Sequence, residues 1–244
     1  MHYRTEKKRN QYQYILIEKR KKNDYCRAHK LVPLYINSFT LDKGYLQKNW
    51  TLGQGWYSRA AGGYFETIYG GVATEALYYP ANSSWAVGTD LAILKKRSYS
   101  GFQFQNKIRR LDGKRTVLED YTGYQCFLDY YQDLPFLDLD VKVRVGQFLA
   151  HDRGVRTEIS RSFKSGLRLT IWYTVTDGHD QLNGKTYFDK GLAVTMPLDI
   201  FLGHSSRQEW GYGMSAWLRD VGAMSETGRP LHPTIWAERK QEQR

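Results

Sequence analysis

The stretch LDLDVKVRVG, residues 137–146, sets Leu137, Leu139, Val141, Val143 and Val145 in strict alternation with Asp138, Asp140, Lys142, Arg144 and Gly146. Successive side chains of a β-strand point to opposite faces, so a period of two gathers the aliphatic residues on one face and the charges on the other. The stretch predicts a two-faced strand. The same period recurs on both sides of it. From Trp85 to Lys95, Trp85, Val87, Thr89, Leu91 and Ile93 alternate with Ala86, Gly88, Asp90, Ala92 and Leu94. After residue 150, Val155, Thr157, Ile159 and Phe163 alternate with Arg156, Glu158, Ser160 and Ser162. The turn Lys164-Ser165-Gly166 follows, and then Leu167, Leu169, Ile171, Tyr173 and Val175 alternate with Arg168, Thr170, Trp172, Thr174 and Thr176. A short loop with glycine able to take positive φ is what an antiparallel hairpin needs.

Further strands are expected at 192–200, with an irregular or edge-like section at Pro197, and at 210–218, 64–79, 101–110, 116–131 and 12–18. Turn chemistry separates them at Pro80-Ala81-Asn82, Asp112-Gly113, Asp177-Gly178, Asn183-Gly184, Gly203 and Thr227-Gly228. No stretch of helical period has comparable strength, so the chain reads as an all-β antiparallel meander. The period does not say which face is wet. A soluble sandwich or barrel turns its apolar face inward, whereas an outer-membrane barrel turns it toward lipid and lines its lumen with the charges. Tyr64, Tyr78, Tyr79, Trp85, Tyr130, Tyr131, Trp210 and Tyr212 fall near expected strand ends, where a membrane barrel carries its aromatic girdle.

Composition bounds the classes. The 244 residues are 41% hydrophobic with a mean hydropathy of −0.63, and no uncharged apolar run reaches the length of a membrane-spanning helix. A barrel strand crosses with about 10 residues, half of them facing lipid, so it escapes that test. The 19 Tyr, 7 Trp and 10 Phe make 15% of the chain, in keeping with β-structure. The net charge is +11, and residues 1–30 hold ten basic side chains against three acidic ones. The excess thus sits in one basic N-terminal segment rather than on the folded body, which argues against nucleic-acid binding. Cys26 and Cys126, 100 residues apart, suggest neither a zinc site nor a disulfide framework. Met1 is followed by HYRTEKKRNQYQY, which carries no signal-peptide pattern.

Four stretches together resemble the YjbH (GfcD-like) family of outer-membrane exopolysaccharide and capsule proteins. They are AAGGYFETIYGGVATEALYYPANSSWAVGTDLAILKKRS (60–98), VGQFLAHDRGVRTEISRSFKSGLRLTIWYTVTD (145–177), FDKGLAVTMPLDIF (188–201) and LRDVGA (218–223). The resemblance covers roughly residues 30–235. It implies an outer-membrane β-barrel in polysaccharide production or translocation, with no assigned catalytic residue. Family members are far longer and begin with an export signal, so the chain is expected to correspond to a C-terminal portion, a partial barrel over residues 31–240. Its expected partners are outer-membrane lipid, an extracellular polysaccharide, and other secretion proteins or a missing barrel half.

Asp138 and Asp140, two apart on one strand, invite a glycosidase reading, but Lys142 and Arg144 continue their row and a polar lumen lining explains all four. The expected lumen-facing row is Asp138, Asp140, Lys142, Arg144, Arg156, Glu158 and Arg168. The six histidines (His2, His29, His151, His179, His204 and His232) lack metal-ligand spacing, so no metal or cofactor is expected. Gly203-His204-Ser205-Ser206 is not a nucleophile elbow, and the pairs Gly62-Gly63 and Gly70-Gly71 mark bends or bulges rather than a phosphate loop. His151-Asp152-Arg153-Gly154 and Leu218–Ala223 are the remaining polar clusters, each a turn or a site for a buried Arg–Asp pair. The reading is a non-enzymatic export component, with a soluble carbohydrate-binding β-module as the alternative.

Overall fold

The computed structural model describes residues 41, 43–98, 103–112, 115–178, 181–182, 185–186, 188–198, 209–215 and 221–242. The basic segment 1–30 with Cys26, the strand expected at 12–18, Gly203–Ser206 and Leu218–Asp220 lie outside them. Ten strands form one antiparallel path: β1 (Gly44–Gly53), β2 (Trp56–Tyr64), β3 (Tyr69–Tyr78), β4 (Trp85–Arg97), β8 (Gly123–Leu134), β9 (Leu139–Gln147), β10 (Arg153–Ser162), β11 (Arg168–Thr176), β14 (Asp189–Pro197) and β15 (Glu209–Ser215). β5 (Phe104–Gln105) pairs with β4, while β6 (Lys107–Asp112) with β7 (Arg115–Asp120), and β12 (Gln181–Leu182) with β13 (Lys185–Thr186), form two separate hairpins between neighbouring wall strands. Every wall strand pairs with its successor along this path, so the sheet is the expected up-and-down meander. It is not closed into a barrel: among the described residues β1 pairs only with β2, and β15 only with β14.

Alternation decides which side of the sheet is covered. On β4, Ala86, Gly88, Asp90, Ala92 and Leu94 are buried while Trp85, Leu91 and Ile93 are exposed; on β8, Gln125, Phe127, Asp129 and Tyr131 are buried while Tyr124, Leu128 and Tyr130 are exposed. The protein is therefore inverted relative to a water-soluble sandwich. Ile93 and Leu128 are 50% and 53% exposed, whereas Arg59 and Asp129 are 1% and 2% exposed. Two apolar clusters bracket the charges on the inner face. One joins Phe65, Tyr69, Leu94, Tyr121 and Leu149 near one rim, and the other joins Leu77, Tyr79, Ala86 and Tyr131 with Leu231 and Ile235 near the opposite rim.

Several expected boundaries move. The strand expected at 64–79 forms as β3 but starts only at Tyr69: Tyr64 is the last residue of β2, and Phe65 and Glu66 both donate backbone N–H to Tyr69 O and fold the chain back on itself. Residues 101–110 and 116–131 are divided, and β1 with the first half of β2 precede the region where the period of two is legible. Pro135–Leu137 form a short 3-10 turn, and Asp138 ends it in the left-handed region at φ 52°, so β9 begins only at Leu139. Pro197 is the last residue of β14, where a missing N–H is tolerated. The pair Gly62-Gly63 sits in regular register, Gly63 opposite Gly71, rather than at a bulge.

The expectation of no helix fails. Residues Leu231–Glu242 form α1, preceded by the segment 221–230 that runs over the inner face of the sheet. Its first turn carries no acidic residue of its own. Its cap comes from the wall: Glu75 on β3 accepts the N–H of Leu231.

Candidate functional site

The inner face carries a row of paired charges that follows strand register. Arg59, Glu75 and Asp90 are direct neighbours on β2, β3 and β4, and Asp129, Arg144, Arg156, Thr174 and Asp189 are direct neighbours on β8, β9, β10, β11 and β14. Arg59 Nε donates to Glu75 Oε2 at 2.8 Å. Arg144 grips Asp129 with both Nε and a terminal nitrogen, each at 2.6 Å, a bidentate and charge-assisted geometry. Asp90 joins the two halves of the row, 3.9 Å from Arg59 and 3.8 Å from Arg144. Arg156 donates to Glu158 at 2.6 Å and to Asp189 at 3.1 Å, and Asp189 also accepts from Trp172 Nε1 at 3.1 Å. Gly191, opposite Trp172, leaves the space its ring occupies, since a Cβ there would lie 2.3 Å from the indole.

Of the row expected from sequence, Asp140, Lys142, Arg144, Arg156, Glu158 and Arg168 share this face. Lys142 lies opposite Glu158 and 4.0 Å from Asp129, and Arg168 pairs with Asp140 at 3.1 Å. Asp138 does not belong: it is exposed at the end of the 3-10 turn, outside β9. The glycosidase geometry drawn from Asp138 and Asp140 as strand neighbours therefore does not form. Arg59, Glu75, Asp129 and Asp189 were not anticipated, and Asp90 only as a member of a face. Along its own strand each stands among mostly small or aromatic inward residues, and its charged neighbours come from adjacent strands through register, which gives a weaker signal than the charge run on β9.

Residues 221–239 lie against this face. Asp152 accepts the N–H of Gly222 at 2.8 Å, and burial pushes its carboxyl above the usual range against that hydrogen bond. Gln125 both accepts from Ser225 N–H at 3.1 Å and donates to Ser225 O at 3.3 Å. Arg59 donates to Thr227 O, and Lys43 pairs with Glu226. Gln47 exchanges the same two hydrogen bonds with Arg229, at 2.9 and 3.0 Å. In α1, the His232 ring stacks on Tyr131 at 3.7 Å and 9° and meets Tyr79 at 5.4 Å, Trp236 Nε1 donates to Asp133 at 3.3 Å, and Arg239 lies 3.6 Å over the Tyr79 ring. Burial, then the positive charges of Lys142 and Arg168, push His232 down to about 3, so its ring is neutral.

Two polar clusters resolve differently. In His151–Gly154, Asp152 anchors the segment above while His151 and Arg153 are exposed. In Leu218–Ala223 only Val221 to Ala223 are described, and Ala223 O accepts from Leu149 N–H at 3.0 Å. Among the described residues no group of three or more His, Cys, Asp or Glu could hold a metal, and no helix is long and apolar enough to cross a membrane, which says nothing of strands.

Comparison with known proteins places the chain. The family described as exopolysaccharide biosynthesis protein YbjH (YjbH) matches residues 8–237. The uncharacterized lipoprotein YjbH of Escherichia coli (strain K12) is 34% identical over 190 residues, 78% of this chain and 25% of that protein. The chain thus spans about a quarter of that relative's length. No solved structure matches. With the family covering nearly the whole sequence, the chain belongs to the YjbH exopolysaccharide biosynthesis family.

Proposed function

We propose that this chain forms part of the wall of an outer-membrane β-barrel that serves exopolysaccharide assembly and export without catalysing a reaction itself. The observation that carries the reading is the inverted sheet: paired charges are buried on one face and aliphatic side chains are exposed on the other. An outward face of this kind has no favourable partner in water but matches acyl chains. Its dimensions fit as well. On β4 the outward positions from Trp85 to Lys95 carry no charge between them, roughly 34 Å of strand at ~3.4 Å per residue, or roughly 25 Å of height at a 45° tilt. At one end of the wall, Trp56, Tyr78 and Trp85 contact one another at 4.8 and 5.9 Å; at the other, Tyr64 meets Phe104 at 5.5 Å. These are the positions of two interfacial girdles.

The inner face suits a hydrated polymer. Charges of both signs, already paired, leave side-chain donors and acceptors for sugar hydroxyls without a net field that would trap one ion type. The described edges at β1 and β15 would each cost several kcal/mol per unsatisfied backbone group in lipid, so further strands are expected to meet them there. The name of the related lipoprotein agrees with membrane association. Fractionation tests the reading. The chain should sediment with outer membranes, need detergent for extraction and migrate faster on gels before heating than after. A monodisperse, detergent-free protein would instead support a soluble carbohydrate-binding module, and release of reducing ends from a polysaccharide would reveal an enzyme.

A further inference from the structure

The segment 221–239 is bound to the wall in an unusual manner. β-strands hold one another by backbone ladders, but this segment is held mainly by wall side chains that satisfy its backbone groups: Asp152 for Gly222, Gln125 for Ser225, Arg59 for Thr227, Gln47 for Arg229 and Glu75 for Leu231. Amides, carboxylates and guanidinium groups of this kind serve sugar hydroxyls equally well. The aromatic contact repeats the theme. His232 lies flat on Tyr131, the position and orientation in which a pyranose ring stacks on an aromatic face. Beneath Thr227, buried Asp90 keeps Oδ1 without a hydrogen-bond donor among the described residues.

We infer that residues 221–239 are an intrachain gate occupying a glycan subsite built from Tyr131, Tyr79, Gln125, Glu75 and Asp90, and that a polysaccharide segment displaces them by taking over the same contacts. The inference rests on the polysaccharide reading above and adds to it a location and a means of control. Docking the segment lowers apparent sugar affinity by the fraction of molecules in which the face is open. Weakening the segment's tethers therefore tightens sugar binding, the opposite of what loss of a binding residue does.

The test uses the full chain in detergent with Cys26→Ser, carrying nitroxides at Cys126 on the outer wall and at Glu238→Cys on the exposed side of α1. Distances between them are measured by pulsed electron resonance while maltoheptaose, a neutral chain, or an alginate hexamer, an anionic one, is titrated in. The gate predicts one docked distance without sugar and a growing longer population with it. Asp152→Ala, which frees the segment at Gly222, should raise the open-to-docked ratio by about fivefold, the factor expected of one lost hydrogen bond, and Gln47→Ala, which frees it at Arg229 and removes two, should raise it further; both should tighten sugar binding. Tyr131→Leu in the loosened background should weaken binding again. Sugar binding with no change in distance overturns the gate and leaves the polysaccharide reading standing. No binding of either sugar, even to the loosened variants, overturns the glycan subsite itself.

Discussion

The carboxylate of Glu75 accepts the backbone N–H of Leu231, 156 residues away in sequence, while its Oε2 also receives Arg59 Nε. One wall residue thus pairs with a buried cation and caps a helix whose first turn carries no acidic residue. Glu75→Ala should lower stability by about 3–5 kcal/mol, because Arg59 is left buried without its nearest carboxylate. Glu75→Gln, which keeps an acceptor for Leu231, should cost less and leave the segment docked. Urea midpoints of the refolded chain in detergent, read beside trypsin cleavage after Arg239, separate the two effects.

Gly146 on β9 has φ +156°, and a Cβ there would sit 1.9 Å from Cys126 O on β8. Gly146→Ala forces the two wall strands apart and should destabilise by about 2–4 kcal/mol. Gly211→Ala, whose nearest new contact would be 3.7 Å, should stay within about 0.5 kcal/mol. Equal midpoints for the two variants would show that the β8–β9 spacing is not constrained as described.

Docking of the segment 221–239 should depend on pH through His232. Docked, the ring is held near 3 by burial among Tyr79, Tyr131, Lys142, Arg168 and Arg239, with Asp129 opposing; released, it titrates near 6.5. Because the docked state has the depressed value, docking is pH-independent through this group above about 6.5 and weakens by roughly tenfold per unit below it, until the docked ring itself protonates. His232→Phe keeps the stack and should abolish this dependence. The released fraction at pH 7.5, 6 and 5 checks it, and an unchanged pH profile in the variant would contradict it.

Leu128→Arg and Ile171→Arg place a charge in the middle of the outer wall. In lipid each should cost about 2–4 kcal/mol, whereas on a solvated face each would stay within about 0.5 kcal/mol. Refolding the variants into vesicles and comparing urea midpoints distinguishes the two environments.

Strands were legible where each face is uniform. The valine and leucine rows of 139–145 and 155–175 were read to within a residue or two, and the Gly166 turn formed as expected, with Gly166 N–H donated to Phe163 O at 2.9 Å. The charged row was legible where charges follow one another on a single strand, as on β9. It was not legible where one charge per strand becomes a row only through register, as with Arg59, Glu75 and Asp90. Helix α1 was hidden for a related reason. Of the described side chains of LHPTIWAERKQE, Leu231 and Ile235 alone are buried, and a proline sits in its first turn, so no broad apolar stripe marks it in the sequence, and its cap lies on another element. Asp138 was misplaced because alternation runs through Leu137 without revealing that Pro135 starts a turn there.

Cys126 offers the most direct measurement, since it lies on the outer face opposite Leu91, the middle residue of β4. A nitroxide on Cys126, in the Cys26→Ser chain reconstituted into vesicles, can be relaxed by oxygen, which concentrates in acyl chains, or by a neutral nickel chelate, which stays in water. An outer wall facing lipid predicts strong oxygen relaxation and almost none by nickel. Strong relaxation by nickel would place the aliphatic face in water and contradict the membrane account.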